Sequence, residues 1–368
     1  MSAPTTLSKP RSLLRRYLVA GYALLIIYAS LSPFFGWQEQ GLEFWAVLTS
    51  PLKLTYTAFD AVSNLLAYLP FGLLLALTLR TYFSSRASVI LTMLLTLLLS
   101  GVLEYLQMYL PSRASSNVDI LNNSIGALCG ALLAMSIVQR AWFIRVTEWR
   151  IGFFRQGPGV DFGLALVLLW MFAQINPSLP MLGSAFITEP VSRMYIAVPE
   201  EPFSIWESLA VALNLLMLGA LLMMLLRIRR HVVAGIVLLL CGVALAKFIA
   251  AAVLLKSWAL LLWLNGEAML GIVLGLLLMS AFGWLSRQWL FWLTALTALS
   301  YLVLVLLVLD SGTVSAAMRL YYWRYGHLRN YNGLSQAVSS FFPLLLGGYL
   351  WWARAYRYEE EGEYESLP

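Results

Sequence analysis

The chain has 368 residues, 61% of them hydrophobic and only 11% charged, with a formal net charge of +6. Soluble domains carry about 25% charged residues, so this composition, with a mean hydropathy of +0.78, excludes a soluble enzyme or a nucleic-acid-binding domain. It points to an all-α, polytopic transmembrane helical bundle.

The polar, basic start MSAPTTLSKPRSLLRR precedes a first apolar segment, Tyr17 to Phe35. A cleaved signal peptide is the competing reading, because Ser30 and Ser32 are small residues around a possible cut. Pro33 after that cut and a run close to the ~20 residues of a span favour a retained helix. The mixed stretch that follows, with GLEFWAVLTSPLKL, suits a short interfacial helix. Spans are predicted at about 60–80, 88–110, 118–140 and 160–177, then 206–226, 232–254, 258–282, 289–310 and 337–353, about ten in all. The tail EEEGEYESLP is acidic and reads as disordered.

Between the third and fourth spans lies the stretch SGVLEYLQMYLPSRASSNVDILNNSIGALCGALL, Ser100 to Leu133. Asp, Lys or Arg at the centre of a membrane helix costs about 2.5 to 3.5 kcal/mol, so a retained ionisable residue calls for a partner or a task. Residues three and four apart share a helix face, which puts Ser100, Glu104 and Gln107 on one stripe. Asp119 and Asn123 lie one turn apart on the next helix, and Gly126 and Gly130 continue their line, allowing close helix approach. A tight helical hairpin is expected, its mouth holding Glu104, Gln107, Arg113, Asp119 and Asn123. Seven residues separate Glu104 from Pro111, a depth of about 10 Å below that helix end. On the second span Asp60, Asn64 and Tyr68 share a face.

At these residues the chain resembles the VanZ-like family of integral membrane proteins, named after a protein of teicoplanin resistance. The likeness rests on Glu104 and Gln107 in EYLQ, on Arg113 six residues before Asp119, on DILNNSIGALCG, and on NLLAYLPFG with Asn64, Pro70, Phe71 and Gly72. It covers roughly residues 17–140, so the chain divides into a VanZ-like membrane domain, 1–140, and a second helical region, 141–368. The resemblance implies association with low-level glycopeptide resistance and with cell-envelope gene neighbourhoods.

In the second region NLLMLGALLMM from Asn214 and NGEAMLGIVLG around Gly271 faintly echo NLLAYLPFG and NNSIGALCG. A degenerate duplication and chance similarity among Leu-rich helices both account for this. The loop 174–207 is rich in Pro and Glu, and the loop 311–336 mixes Arg with Tyr and Trp. The first suits a cap over the hairpin mouth or an ordinary solvated connection. The second suits interfacial anchoring or stacking on a sugar.

The positive-inside rule orients the chain. With the N-terminus inside, the inner segments carry the clusters Lys9 to Arg16, Arg80 with Arg86, Arg140 to Arg155 and Arg227 to Arg230, besides Arg287, Arg354 and Arg357. The outer segments carry only Lys53, Arg113, Arg193, Lys256, Arg319, Arg324 and Arg329, with Lys247 inside a span. Both termini are therefore expected in the cytoplasm, the protein in the inner membrane, and the Glu104 cluster facing outward.

Glu104 and Asp119 are the candidate catalytic groups, and Asp60, Asn64, Gln107, Arg113 and Asn123 the candidate ligand-binding ones. Structural glue is one reading, with Arg113 neutralising one acid while Asn and Gln hydrogen-bond between helices; three acids against one nearby base are more than glue commonly needs, which suggests that a cation, a proton or a polar headgroup completes the site. One reading is a site that binds or modifies a lipid-linked glycan precursor or a glycopeptide-related ligand. A general base and an arginine on a phosphate or carboxylate would serve it. The other is a non-enzymatic transporter, scaffold or accessory factor. No histidine lies near the turn serines to activate one, and no nucleotide-binding glycine loop specifies a cofactor. Cys129, Cys241, His231 and His327 lack metal-ligand spacing.

Overall fold

A computed structural model of the chain describes residues 13–32, 34–51, 58–176, 181–183, 203–228, 231–254, 260–261, 263–282, 284–308, 334–335, 337–339 and 341–354. Among these the regular structure is helical, apart from one isolated bridge between Phe154 and Leu226. The helices are α1 (Leu14–Leu31), the short α2 (Phe44–Thr49), α3 (Ala58–Leu79), α4 (Ser85–Gln107), α5 (Asn117–Val138), α6 (Ala141–Phe153) and α7 (Pro158–Gln174). They continue as α8 (Ile205–Leu225), α9 (Val232–Leu254), α10 (Gly266–Phe282), α11 (Arg287–Val303) and α12 (341–354). Seven described helices are long and apolar enough to cross a membrane, and α7 and α10 are shorter apolar helices of 17 residues. The chain is a helical membrane protein, divided into two compact units at Ile151 and Gly152.

One helix, α4, turns its polar side chains inward and its apolar ones outward, which keeps hydroxyls and carboxylate out of lipid. On α4 the buried face is Ser88, Thr92, Thr96, Ser100 and Glu104, while Ile90, Leu94, Leu98 and Val102 point outward. The spacing of four residues keeps those hydroxyls in one row. Ser88 and Thr92 turn theirs back onto the carbonyls of Ser84 and Ser88 at 2.8 Å, satisfying donors that lipid could not. Side chains this small also let α5 approach, and α5 itself buries small residues, among them Ser124, Ala127, Ala131 and Ala134.

The tightest crossing in the first unit joins α3 to α5. A Cβ added at Gly126 would stand 2.2 Å from the Leu65 carbonyl oxygen, and one at Gly130 would stand 2.1 Å from that of Leu69. From the other side, a Cβ at Gly72 would meet the Ala127 oxygen at 2.1 Å. These glycines thus serve a neighbour about sixty residues back in the chain. The expected hairpin partner, α4, packs on α5 through its hydroxyl row instead. Small residues at membrane helix interfaces bring backbones together for van der Waals gain, and here the obstacle would be backbone, which cannot rotate aside.

The sequence expectations at other points need adjusting. The last residue of α4 is Gln107, because the amides of Met108, Tyr109 and Leu110 turn onto the carbonyls of Glu104, Leu106 and Gln107. Glu104 is thus three residues from the helix end, a depth of about 5 Å rather than 10 Å. The span expected from residue 258 has its helix only from Gly266. Most of the loop 174–207 and nearly all of 311–336 lie outside the described residues, as does the acidic tail.

Replacing Gly126 or Gly130 by leucine should cost more than about 3 kcal/mol, above ordinary overpacking. Gly101→Ala, where a Cβ meets nothing within 4 Å, should be neutral. Membrane abundance and the melting temperature of detergent-purified protein measure both.

Candidate functional site

The loop end of the α3–α5 crossing is where the polar side chains gather. One residue before Leu65, Asn64 donates its Nδ2 to Asp119 Oδ1 at 2.7 Å, joining α3 to the first turn of α5. One turn along α5, Asn123 donates to Ser100 Oγ on α4 at 2.9 Å. Glu104, 4% exposed, accepts the backbone N–H of Ser116 at 2.8 Å. Ser116 is the N-cap of α5 and its hydroxyl accepts from the Val118 amide. The carboxylate therefore takes a donor just ahead of a helix N-terminus, where negative charge is stabilised. The buried Tyr68 hydroxyl lies against Ser100, within electrostatic reach of both Glu104 and Asp119.

Three helices thus converge on one centre of oxygen atoms: Asp119 and Asn123 from α5, Ser100 and Glu104 from α4, and Asn64 with Tyr68 from α3. Asn123 is 5% exposed, and its Oδ1 has no hydrogen-bond partner among the described residues; neither do Asn122 Nδ2 and Thr96 Oγ1. A buried polar atom left unpaired costs about 1–3 kcal/mol, so the unpaired acceptor of Asn123, one turn along α5 from Asp119, marks a place where a donor fits. Among the described residues no three His, Cys, Asp or Glu side chains are grouped to hold a metal ion.

Residues 11–139 match the family model described as VanZ/LLP1. This part of the chain is VanZ-like. No curated protein and no solved structure matches the chain.

Within the VanZ-like segment the structure divides the sequence-predicted residues into two groups. Asn64, Glu104, Asp119 and Asn123 form the centre. Gln107 and Arg113 turn instead to the end of α1: Gln107 Nε2 donates to Ser30 O at 2.9 Å. Arg113 donates Nε and Nη2 to Ser32 O at 3.1 and 2.8 Å, and Nη2 to Ala29 O at 2.7 Å. Those carbonyls end a helix and lack intrahelical donors, and a cation there also suits the helix dipole. Burial pulls the Arg113 guanidinium below its usual pKa, and the Glu104 charge opposes that pull. Its Nη1 makes no hydrogen bond among the described residues, and is the part of the fork left to an outside acceptor. Asp60 belongs to α3, and its side chain lies outside the described residues.

Several participants were not singled out from sequence. Ser116 holds Glu104, while Asn117 Nδ2 binds Ser50 O at 2.8 Å and Gln40 Nε2 binds Met108 O at 2.8 Å. The last two fasten the segment 34–51, with its α2, to the α4–α5 turn. Phe44 stacks edge-on against Tyr105 at 5.5 Å, and Trp45 stays outward. The available signal was the amphipathic pattern of GLEFWAVLTS, which gives an interfacial helix without saying what it covers.

Arg113→Met leaves two carbonyls of α1 without their donor and should lower stability by on the order of 2 kcal/mol. Arg113→Lys, a point charge without the fork, should recover only part of it. Thermal melts of the two purified variants provide the comparison.

Proposed function

We propose that the VanZ-like segment of this inner-membrane protein holds the polar headgroup of an envelope lipid, in the class of lipid-linked glycan or peptidoglycan precursors. The reading rests on the convergence of Glu104, Asp119 and Asn123, with its unpaired Oδ1, at the loop end of the α3–α5 crossing. A headgroup rich in hydroxyls and amides supplies the donors this centre lacks, and Arg113 Nη1 offers the complementary donor for a phosphate or carboxylate. Glu104 and Asp119 are the groups able to accept a proton from it. The distribution of Lys and Arg supports the outward-facing placement, with both termini in the cytoplasm, where such precursors are presented in the outer leaflet. Tolerance of glycopeptides follows on this reading, since those compounds recognise the same class of molecule.

Glu104→Gln, and separately Asp119→Asn, keep side-chain shape and should leave protein abundance within about twofold of wild type, while removing the envelope phenotype, read as glycopeptide susceptibility. Parallel loss of protein and phenotype would instead make the centre structural glue. Incubating purified protein with extracted envelope lipids then separates chemistry from binding: a product of altered mass means turnover, and lipid retained unaltered means an accessory role.

A further inference from the structure

The faint sequence echo between the two halves has a counterpart in how each unit is packed. In the first unit α3 packs on α1, α4 and α5, and α1 also touches α4; in the second, α8 packs on α7, α9 and α10, and α7 also touches α9. The helices α1, α3, α4 and α5 begin at Leu14, Ala58, Ser85 and Asn117, and α7, α8, α9 and α10 at Pro158, Ile205, Val232 and Gly266. Every interval is close to 145 residues. The crossings correspond at their paired glycines, although Gly72 falls on Leu215, whose side chain is what a Cβ at Gly275 would meet first, at 2.9 Å. Gly126 and Gly130, one turn apart, lie on the carbonyls of Leu65 and Leu69; Gly271 and Gly275, one turn apart, lie on those of Ser208 and Ala212, with Cβ distances of 2.5 and 3.3 Å. Glycine pairs of this spacing are common in membrane helices. The same pair on the same helix of the series, meeting residues at the same interval, is not explained by that frequency. Two contacts depart: among the described residues α4 packs closely on α5 while α9 and α10 make no comparable contact, and α8 packs on α11 as well.

We infer that the second unit is a repeat of the first in which the acidic centre has been exchanged for a buried lysine that closes it, so that each chain keeps one acid site. Counting from the paired glycines and from the ends of α4 and α9, the positions of Tyr68, Glu104, Asp119 and Asn123 fall on Val211, Ala251, Leu264 and Ala268. Asn64 falls on Glu207, and Ser100 on Lys247. Lys247 is 0% exposed and donates to the carbonyl of Asn176, just past the end of α7, at 2.7 Å. The corresponding carbonyls at the end of α1 receive Arg113. Each unit therefore sets a cation on the C-terminal end of its first helix, from a loop in one and from within a span in the other. Towards the same end of α7 the buried amides are spent on the chain itself. Trp170 Nε1 donates to Asn214 Oδ1 at 3.0 Å, Asn214 Nδ2 to Leu182 O at 3.0 Å, and the Leu182 amide to Gln174 Oε1 at 3.1 Å. These bonds tie residues 181–183 to α7 and α8.

Two measurements on the full-length protein in membranes test this. Four spans, α1, α3, α4 and α5, precede α7, so a repeat puts corresponding loops on the same side. In a Cys129→Ser, Cys241→Ser background, Ser112→Cys and Leu261→Cys should react with an impermeant maleimide from one face, and Phe83→Cys and Ile228→Cys from the other. Labelling of 112 and 261 from opposite faces overturns the repeat. Lys247→Met should lower abundance several-fold and leave the glycopeptide phenotype per molecule unchanged. Wild-type abundance of Lys247→Met overturns the closing role, and loss of the phenotype at that abundance would place a ligand on the lysine. The labelling and the abundance readout do not depend on which ligand the acid centre takes; the phenotype readout rests on the function proposed above.

Discussion

The first unit depends on the approach of two backbones. Because Gly72, Gly126 and Gly130 present no side chain, α3 and α5 close to a separation at which any Cβ would fall inside a carbonyl oxygen. In lipid there is little hydrophobic gain in joining two apolar helices, so dispersion at short range and internal hydrogen bonds have to hold them. The same approach fixes the chemistry. Asn64 precedes Leu65 and Asp119 is seven residues ahead of Gly126, so the bond between them forms only when the crossing is in register. The acid centre is an extension of the packing, with Asp119 about two turns along α5 from Gly126.

The second organising element is the turn between α4 and α5. Glu104 reaches over it to the N-cap of α5 while Arg113 reaches away from it to the end of α1. Opposite charges are thus placed on helix ends of matching polarity instead of on each other. The carboxylate of Glu104 keeps its remaining capacity as an acceptor, and the guanidinium keeps Nη1. A direct ion pair would have consumed both and left a compact structural knot.

Much of this was legible from residue spacing. The polar stripe Ser100, Glu104 and Gln107, the pairing of Asp119 with Asn123, and the packing role of Gly126 and Gly130 follow from helical periodicity. Periodicity names a face and is silent about what meets it. The glycines therefore found α3 where the adjacent α4 was expected, and Arg113, expected among acids, went to carbonyls that carry no signature in sequence. The depth of Glu104 depended on where α4 stops, which backbone turns at Met108 to Leu110 decide, not the nearby Pro111. Lys247 stood out only as a charge within a span. Its partner, the carbonyl of Asn176, belongs to a backbone whose course no pattern reveals.

The hydroxyl row of α4 bears on what can pass through this unit. Ser88 and Thr92 spend their protons on carbonyls of their own helix, and successive members of the row sit about 6 Å apart, too far to hand a proton from one to the next. A Grotthuss chain needs hydroxyls free to reorient and within reach of each other; Ser88 and Thr92 are committed to their own helix, and Thr96 Oγ1, without a partner among the described residues, stands a full turn from its neighbours in the row. Among the described residues, α4 therefore offers no relay of hydroxyls leading from Glu104 to the far end of the helix.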